Sequence, residues 1–197
     1  MSDSVPRVVP FRLVADLAVA FAEAEARAGA QEIGGNNAGP FVEKYLNANH
    51  PGTLTHRGEP WCVAFFCWCW LQAERCTGQA LAVEFTRGAR ELWARMEKHG
   101  LVLTRAEALE SAQADLKPAP FTPAPGDAVF WDHNGNGDPD HVNMLHRIDD
   151  AGVLYTIGGN EGNEDSGAPV RIKKRGRLAE LGALHGFGRM YMGEVSL

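Results

Sequence analysis

The chain has 197 residues, of which 45% are apolar and 22% charged, enough to bury one sizeable core in an ordinary water-facing domain. One domain over residues 1–197 is expected. A net charge of −6 argues against nucleic acid or an anionic membrane as the main partner, and no run of about 18 apolar residues is present to span a bilayer.

Residues 1–12 lack an apolar stretch of signal-peptide length, so synthesis in the cytoplasm without a signal peptide is expected. Phe11, Val14, Leu17, Ala18, Phe21 and Ala28 recur at three- and four-residue spacing, which predicts an amphipathic helix that Gly29 ends. A loop rich in Gly and Asn follows over residues 33–39, and Pro40 then opens a short helix that turns Phe41, Val42, Tyr45 and Leu46 inward. After another loop, Pro60 precedes the apolar run Trp61-Cys62-Val63-Ala64-Phe65-Phe66, which reads as the first turn of a buried helix closed by Gly78. Two further helices are predicted, one over 86–99 before Gly100 and one from the capping box Thr104-Arg105-Ala106-Glu107.

Four prolines in residues 117–125 can neither continue a helix nor fill a central strand, so this stretch reads as a crossing from a helical half to a β half. Strand-like runs at 128–131, 141–148, 153–157, 170–173 and 187–192, separated by Gly, Asp and Asn turns, predict an antiparallel meander. Helices first and strands afterwards give an α+β fold, the helical half packed on the sheet. The basic run from Arg171 to Arg177 reads as a solvated strand edge.

Three residues sit in contexts that suit thiol chemistry. At a helix start, the dipole and the unpaired N–H groups favour a thiolate at Cys62 and can hold the oxyanion formed when it attacks a carbonyl. His141 opens an alternating strand with its side chain opposite the buried face, the place for a general base. Asn160 follows the next strand beyond Gly158-Gly159, where antiparallel pairing would let it orient the imidazole. Cys67, Cys69 and Cys76 fit neither disulfide geometry nor zinc spacing and read as inert core thiols. Trp61, Glu59, Trp131 and Asn143, adjacent to these positions, are candidate substrate contacts, whereas Trp68, Trp70 and Trp93 read as core. His50, His56, His133 and His146 read as surface or packing residues.

Asp132, Asn134, Asn136, Asp138 and Asp140 follow the first part of a calcium-loop pattern, which makes them candidate ligands for a structural Ca2+ that would brace the strand carrying His141. The twelfth position is Asn143 where such loops carry a bidentate Glu. The other reading is a hairpin whose Asn, Asp and Gly tolerate left-handed backbone. The thiol chemistry itself requires no cofactor.

The segments Glu59-Pro60-Trp61-Cys62-Val63-Ala64-Phe65, Pro125-Gly126-Asp127-Ala128-Val129-Phe130-Trp131, Asp140-His141-Val142 and Ile157-Gly158-Gly159-Asn160 together resemble the CHAP and NlpC-type peptidoglycan amidases and peptidases. The likeness runs from about Glu32 to Arg189 and is greatest to a phage-associated or secreted bacterial branch. It implies a papain-like fold, Cys62 as nucleophile, His141 as base and Asn160 as the orienting group. The implied substrate is the cell-wall stem peptide, reached in the periplasm or wall after phage lysis or specialised secretion. Peptidoglycan is then the partner, with an immunity protein or a secretion or phage component as a second one. Two departures stand out: many members carry Gln before the nucleophile and Glu two residues before the Asn, where this chain has Trp61 and Gly158. Oxyanion binding then falls to backbone N–H groups and orientation to Asn160. The competing expectation is a non-catalytic wall-binding or virion module that kept the fold.

Overall fold

The computed structural model describes residues 10–49, 54–111, 120–162 and 167–190. The first nine residues, His50, the start of the proline-rich crossing and the end of the last predicted strand lie outside them. The helices are α1 (Phe11–Arg27), α2 (Pro40–Leu46), α3 (Cys62–Thr77), α4 (Ala89–Lys98) and α5 (Arg105–Ser111). The strands are β1 (Val102–Thr104), β2 (Ala128–Trp131), β3 (His141–Ile148), β4 (Val153–Gly158), β5 (Arg171–Arg177) and β6 (Leu184–Gly188).

The strands form one sheet in the order β1-β6-β2-β3-β4-β5, with antiparallel pairing throughout. The predicted α+β class is therefore present, but the meander holds only from β2 to β5. The last strand crosses back to pair with β2 and with β1, a three-residue strand too short to show a period in sequence. Asp127, fully buried before β2, accepts Nε and NH2 of Arg189, each at 2.8 Å, and so clamps the end of β6 to the start of β2.

Both faces of the sheet are covered. On one, Ala128, Phe130, Val142, Met144 and Ile157 join the helical core of α1 to α4; on the other, Val129, Trp131, Leu145, Leu154 and Phe187 pack with Leu103, Ala108 and Phe121. α3 lies between α1 and the strands β3 and β4. That position explains an apolar run that continues around the helix, with nine buried residues from Cys62 to Ala73. Gly78 ends it in the left-handed conformation, at φ 69°. Val142 and Met144 face this helical layer, so alternation along β3 turns His141 and Asn143 to the other side. Among the described residues no helix is long and apolar enough to cross a membrane.

Candidate active site

α3 starts at Cys62, and its first backbone bond runs from the Phe65 N–H to the Trp61 carbonyl at 2.9 Å. The first-turn N–H groups therefore have no acceptor within the helix. The Cys62 thiol shares a hydrogen bond with the His141 ring and receives the N–H groups of Val142 and Val63. Burial pushes the thiol pKa up, but the imidazole's charge and hydrogen bond together with these two donors outweigh it, and the net shift is down. Burial likewise pushes His141 down, and here the sulfur of Cys62 and the carboxylate of Glu161 prevail and raise it to about 9. Between those limits the pair exists as thiolate and imidazolium. The neighbouring thiols lack such help: burial drives Cys67 up to about 12 and Cys69 well above the usual thiol value. Cys76, expected in the core, is exposed.

The other side of the imidazole departs from expectation. His141 Nε2 lies 3.5 Å from Glu161 Oε1 and 3.0 Å from Asn143 Nδ2, and Asn143 Nδ2 also donates to Glu161. Asn160, expected to orient the ring, makes no hydrogen bond to it. The cause is local: β4 ends at Gly158, and Asn160 takes a left-handed turn at φ 58°, so that the following residue, Glu161, comes back over β3. Gly158, where the family pattern carries a Glu, has no room for one. A Cβ there would lie 2.3 Å from Asn143 Nδ2 and 3.3 Å from Glu161 Oε1. The carboxylate thus reaches the imidazole from three residues further along the chain.

Glu161 is almost fully buried and accepts from Arg175 NH2 and Lys173 Nζ, each at 2.5 Å. Burial raises its pKa, but the hydrogen bond to His141 and the charges of Arg175 and Lys173 reverse this and hold it at about 2. Asn143 cannot swing away, because Trp131 Nε1 and Arg175 NH2, both donors only, each take its Oδ1 at 2.7 Å. Sequence reasoning missed Glu161, Lys173 and Arg175. The available signal was alternation along β5, which sends residues 173 and 175 to one face while Lys174 stays exposed.

Three of the four candidate substrate contacts lie beneath the site and do not line it. Trp61 and Asn143 are fully buried, and Trp131 is nearly so. Trp61 donates to Glu32 at 3.0 Å and stacks on Tyr45 at 5.6 Å, so it belongs to the core. Only Glu59 is partly exposed, and it is engaged by His56 Nδ1 at 2.8 Å and by Arg87 at 3.4 Å. The groove over His141 has a volume of about 390 Å³ and is lined by His133, Asp140, Asn160, Glu161, Lys173 and Arg175. His133, read as a surface or packing residue, sits at its rim with its ring parallel to that of Trp131, centroids 6.0 Å apart. A larger cleft of about 470 Å³ between α3 and α4 holds only the Cys67 thiol, which is unfit to attack.

Gly159 locks α3 to the turn that carries Glu161. A Cβ there would fall 2.2 Å from the Trp61 ring, which Tyr45, Phe65 and Glu32 hold in place. Gly159→Ala should therefore lower stability by about 2–3 kcal/mol, or roughly 5–10 °C in Tm. Thermal unfolding followed by circular dichroism checks this.

The candidate calcium loop binds itself. Asp132 accepts the N–H groups of Gly135, Asn136 and Gly137, and Asp140 accepts those of His133 and Asn134. Asn134 and Asn136 cap the N–H groups two residues on, and Asp138 reaches Arg90 at 3.4 Å. Asn143, at the position of the bidentate ligand, is buried against His141. Among the described residues no three His, Cys, Asp or Glu side chains are grouped to hold a metal ion. The loop's own hydrogen bonds and the positive φ of Gly135 and Gly137 account for its shape as a hairpin.

The family model for the CHAP domain matches residues 54–160, a span that includes Cys62 and His141 and stops one residue before Glu161. Among solved structures the chain is similar to NlpC2 from Trichomonas vaginalis, at 14% identity with a TM-score of 0.45. The match covers 93% of this chain and 49% of that one, so the chain spans about half the length of the structure it resembles. No curated protein matches it.

Proposed function

The chain belongs to the CHAP domain family, in general a family of peptidoglycan hydrolases, and from that premise we propose that it cleaves an amide bond of the cell-wall stem peptide as a single catalytic domain. The observation that carries this reading is the hydrogen bond between a thiol at a helix start and an imidazole whose far nitrogen meets a buried carboxylate. In this scheme the Cys62 thiolate attacks the carbonyl carbon, and first-turn N–H groups of α3 hold the oxyanion. The imidazolium then gives its proton to the leaving amine. Water, deprotonated by the neutral imidazole, attacks the thioester, and the thiolate departs with the imidazolium restored.

The proton that moves is on the ring nitrogen facing Cys62, so Nε2 keeps its own through both steps and directs it at the Glu161 carboxylate. Glu161, held near 2 by its cations, does not take the proton for itself. The proposal includes a working location in the periplasm or wall, reached as an endolysin or as a secreted antibacterial effector. In the second case an immunity protein would guard the producing cell.

Digestion of purified sacculi tests the activity. New amino and carboxyl termini in equal number, identified by mass spectrometry, are expected, and the product masses name the bond. Binding to sacculi without new termini would favour a non-catalytic module, and new reducing ends of sugar would contradict an amide target.

A further inference from the structure

We propose that the groove beyond His141 contains a subsite for a carboxylate on the leaving-amine part of the substrate, with Lys173 Nζ and Arg175 NH1 as its donors. This rests on the hydrolase reading and specifies which peptides that site prefers. Arg175 uses Nε on Thr156 Oγ1 at 2.7 Å and NH2 on Asn143 and Glu161. Among the described residues its NH1 has no hydrogen-bond partner. Nor is NH1 among the buried polar atoms left without a partner, which among the described residues are Asn37 Oδ1, Arg105 Nε and His146 Nδ1. Since Arg175 lines the groove, this edge of the guanidinium opens into it.

Lys173 has the same character. Its side chain is one-third exposed, and among the described residues its one ion pair is to Glu161 Oε2, which engages one of its three N–H donors. Among the described residues Glu161 is the carboxylate paired with these two cations, and its single negative charge leaves one of them unbalanced. Asp140, the other carboxylate on the groove wall, has Oδ2 tied to the N–H groups of His133 and Asn134 at 3.0 and 3.1 Å. One ligand carboxylate bridging Lys173 and the free edge of Arg175 supplies the missing charge and fits the planar guanidinium. The chemistry fixes the side of the scissile bond. The leaving amine must lie against the imidazolium to receive its proton, and the groove that His141 lines is also bounded by Glu161 and these two cations.

A pair of thiol reagents tests the subsite without any cell-wall substrate: iodoacetylglycine, which carries the carboxylate, and iodoacetylglycinamide, which does not. With the native protein, alkylation of Cys62 by the acid should saturate with concentration. Its rate relative to the amide should exceed by about tenfold the ratio found for the unfolded chain, as a charge-assisted contact predicts. Lys173→Met should lower this ratio about tenfold and Lys173→Arg should restore it. Because the ratio is internal, a general change in thiol reactivity cancels. Excess acetate should slow the acid reagent and leave the amide unaffected. Linear kinetics with the acid and a native ratio equal to the unfolded one would overturn the subsite whether or not the variants fold. That result would leave the hydrolase reading standing, since sacculus digestion is scored separately.

Discussion

Cys62→Ala is expected to cut the release of peptide termini from sacculi by about 10⁴-fold or more, the usual consequence of removing a nucleophile whose partners act as a unit. No other cysteine can replace it. Cys67 is buried with its pKa driven up to about 12, Cys69 is likewise raised well above the usual thiol value by burial, and Cys76 is exposed at the far end of α3. The fold should persist, because losing one sulfur leaves the surrounding cluster of Trp61, Phe65 and Val142 in place. Circular dichroism and Tm close to wild type would assign the lost activity to chemistry. Release at the wild-type rate would remove Cys62 from the mechanism.

Glu161→Gln is expected to lower kcat about 10²-fold, and Asn160→Ala to change it less than about threefold. The contrast follows from contacts. Glu161 Oε1 lies 3.5 Å from His141 Nε2 and receives Asn143 Nδ2, whereas Asn160 lines the groove without a hydrogen bond to the ring. Activity should appear as Cys62 ionises below the usual thiol value and disappear as His141 loses its proton near 9. Removing the carboxylate takes away a charge that favours the imidazolium, so the alkaline limb should move to lower pH. Glu161 itself has a folded pKa of about 2, below its unfolded value near 4.5. Its contribution to stability is therefore present above about 4.5 and is lost as pH falls toward 2. A pH–rate profile on each variant separates these effects. A large loss in Asn160→Ala with none in Glu161→Gln would restore the assignment made from sequence.

That reversal shows what the sequence carries and what it hides. Pro40, Gly29 and Gly78 marked helix limits because each acts through its own backbone, and the contexts of Cys62 and His141 were legible for the same reason. Glu161 was not, because its position depends on a left-handed turn at Asn160 and on the space that Gly158 leaves beside Asn143. Neither property lies in the residue itself. The return of β6 between β1 and β2 is likewise a matter of long-range pairing that alternation within a strand does not encode. Trp61, Trp131 and Asn143 show the converse error. Nearness to a nucleophile or a base in sequence does not make a groove wall: each of the three is buried and hydrogen-bonded beneath the site. The basic run of β5 read as solvated edge, which holds for Arg171 and Lys174 but not for Lys173 and Arg175, turned inward onto Glu161.

The central claim is that Cys62 and His141 share a proton, and alkylation of the four cysteines by iodoacetamide as a function of pH, read by peptide mass spectrometry, tests it most directly. The pair predicts that native Cys62 is labelled at a pH below the usual thiol value, while buried Cys67 and Cys69, pushed up, stay unlabelled. Labelling of native Cys62 that begins only at the usual thiol value, or that occurs only once the chain is unfolded, would contradict it.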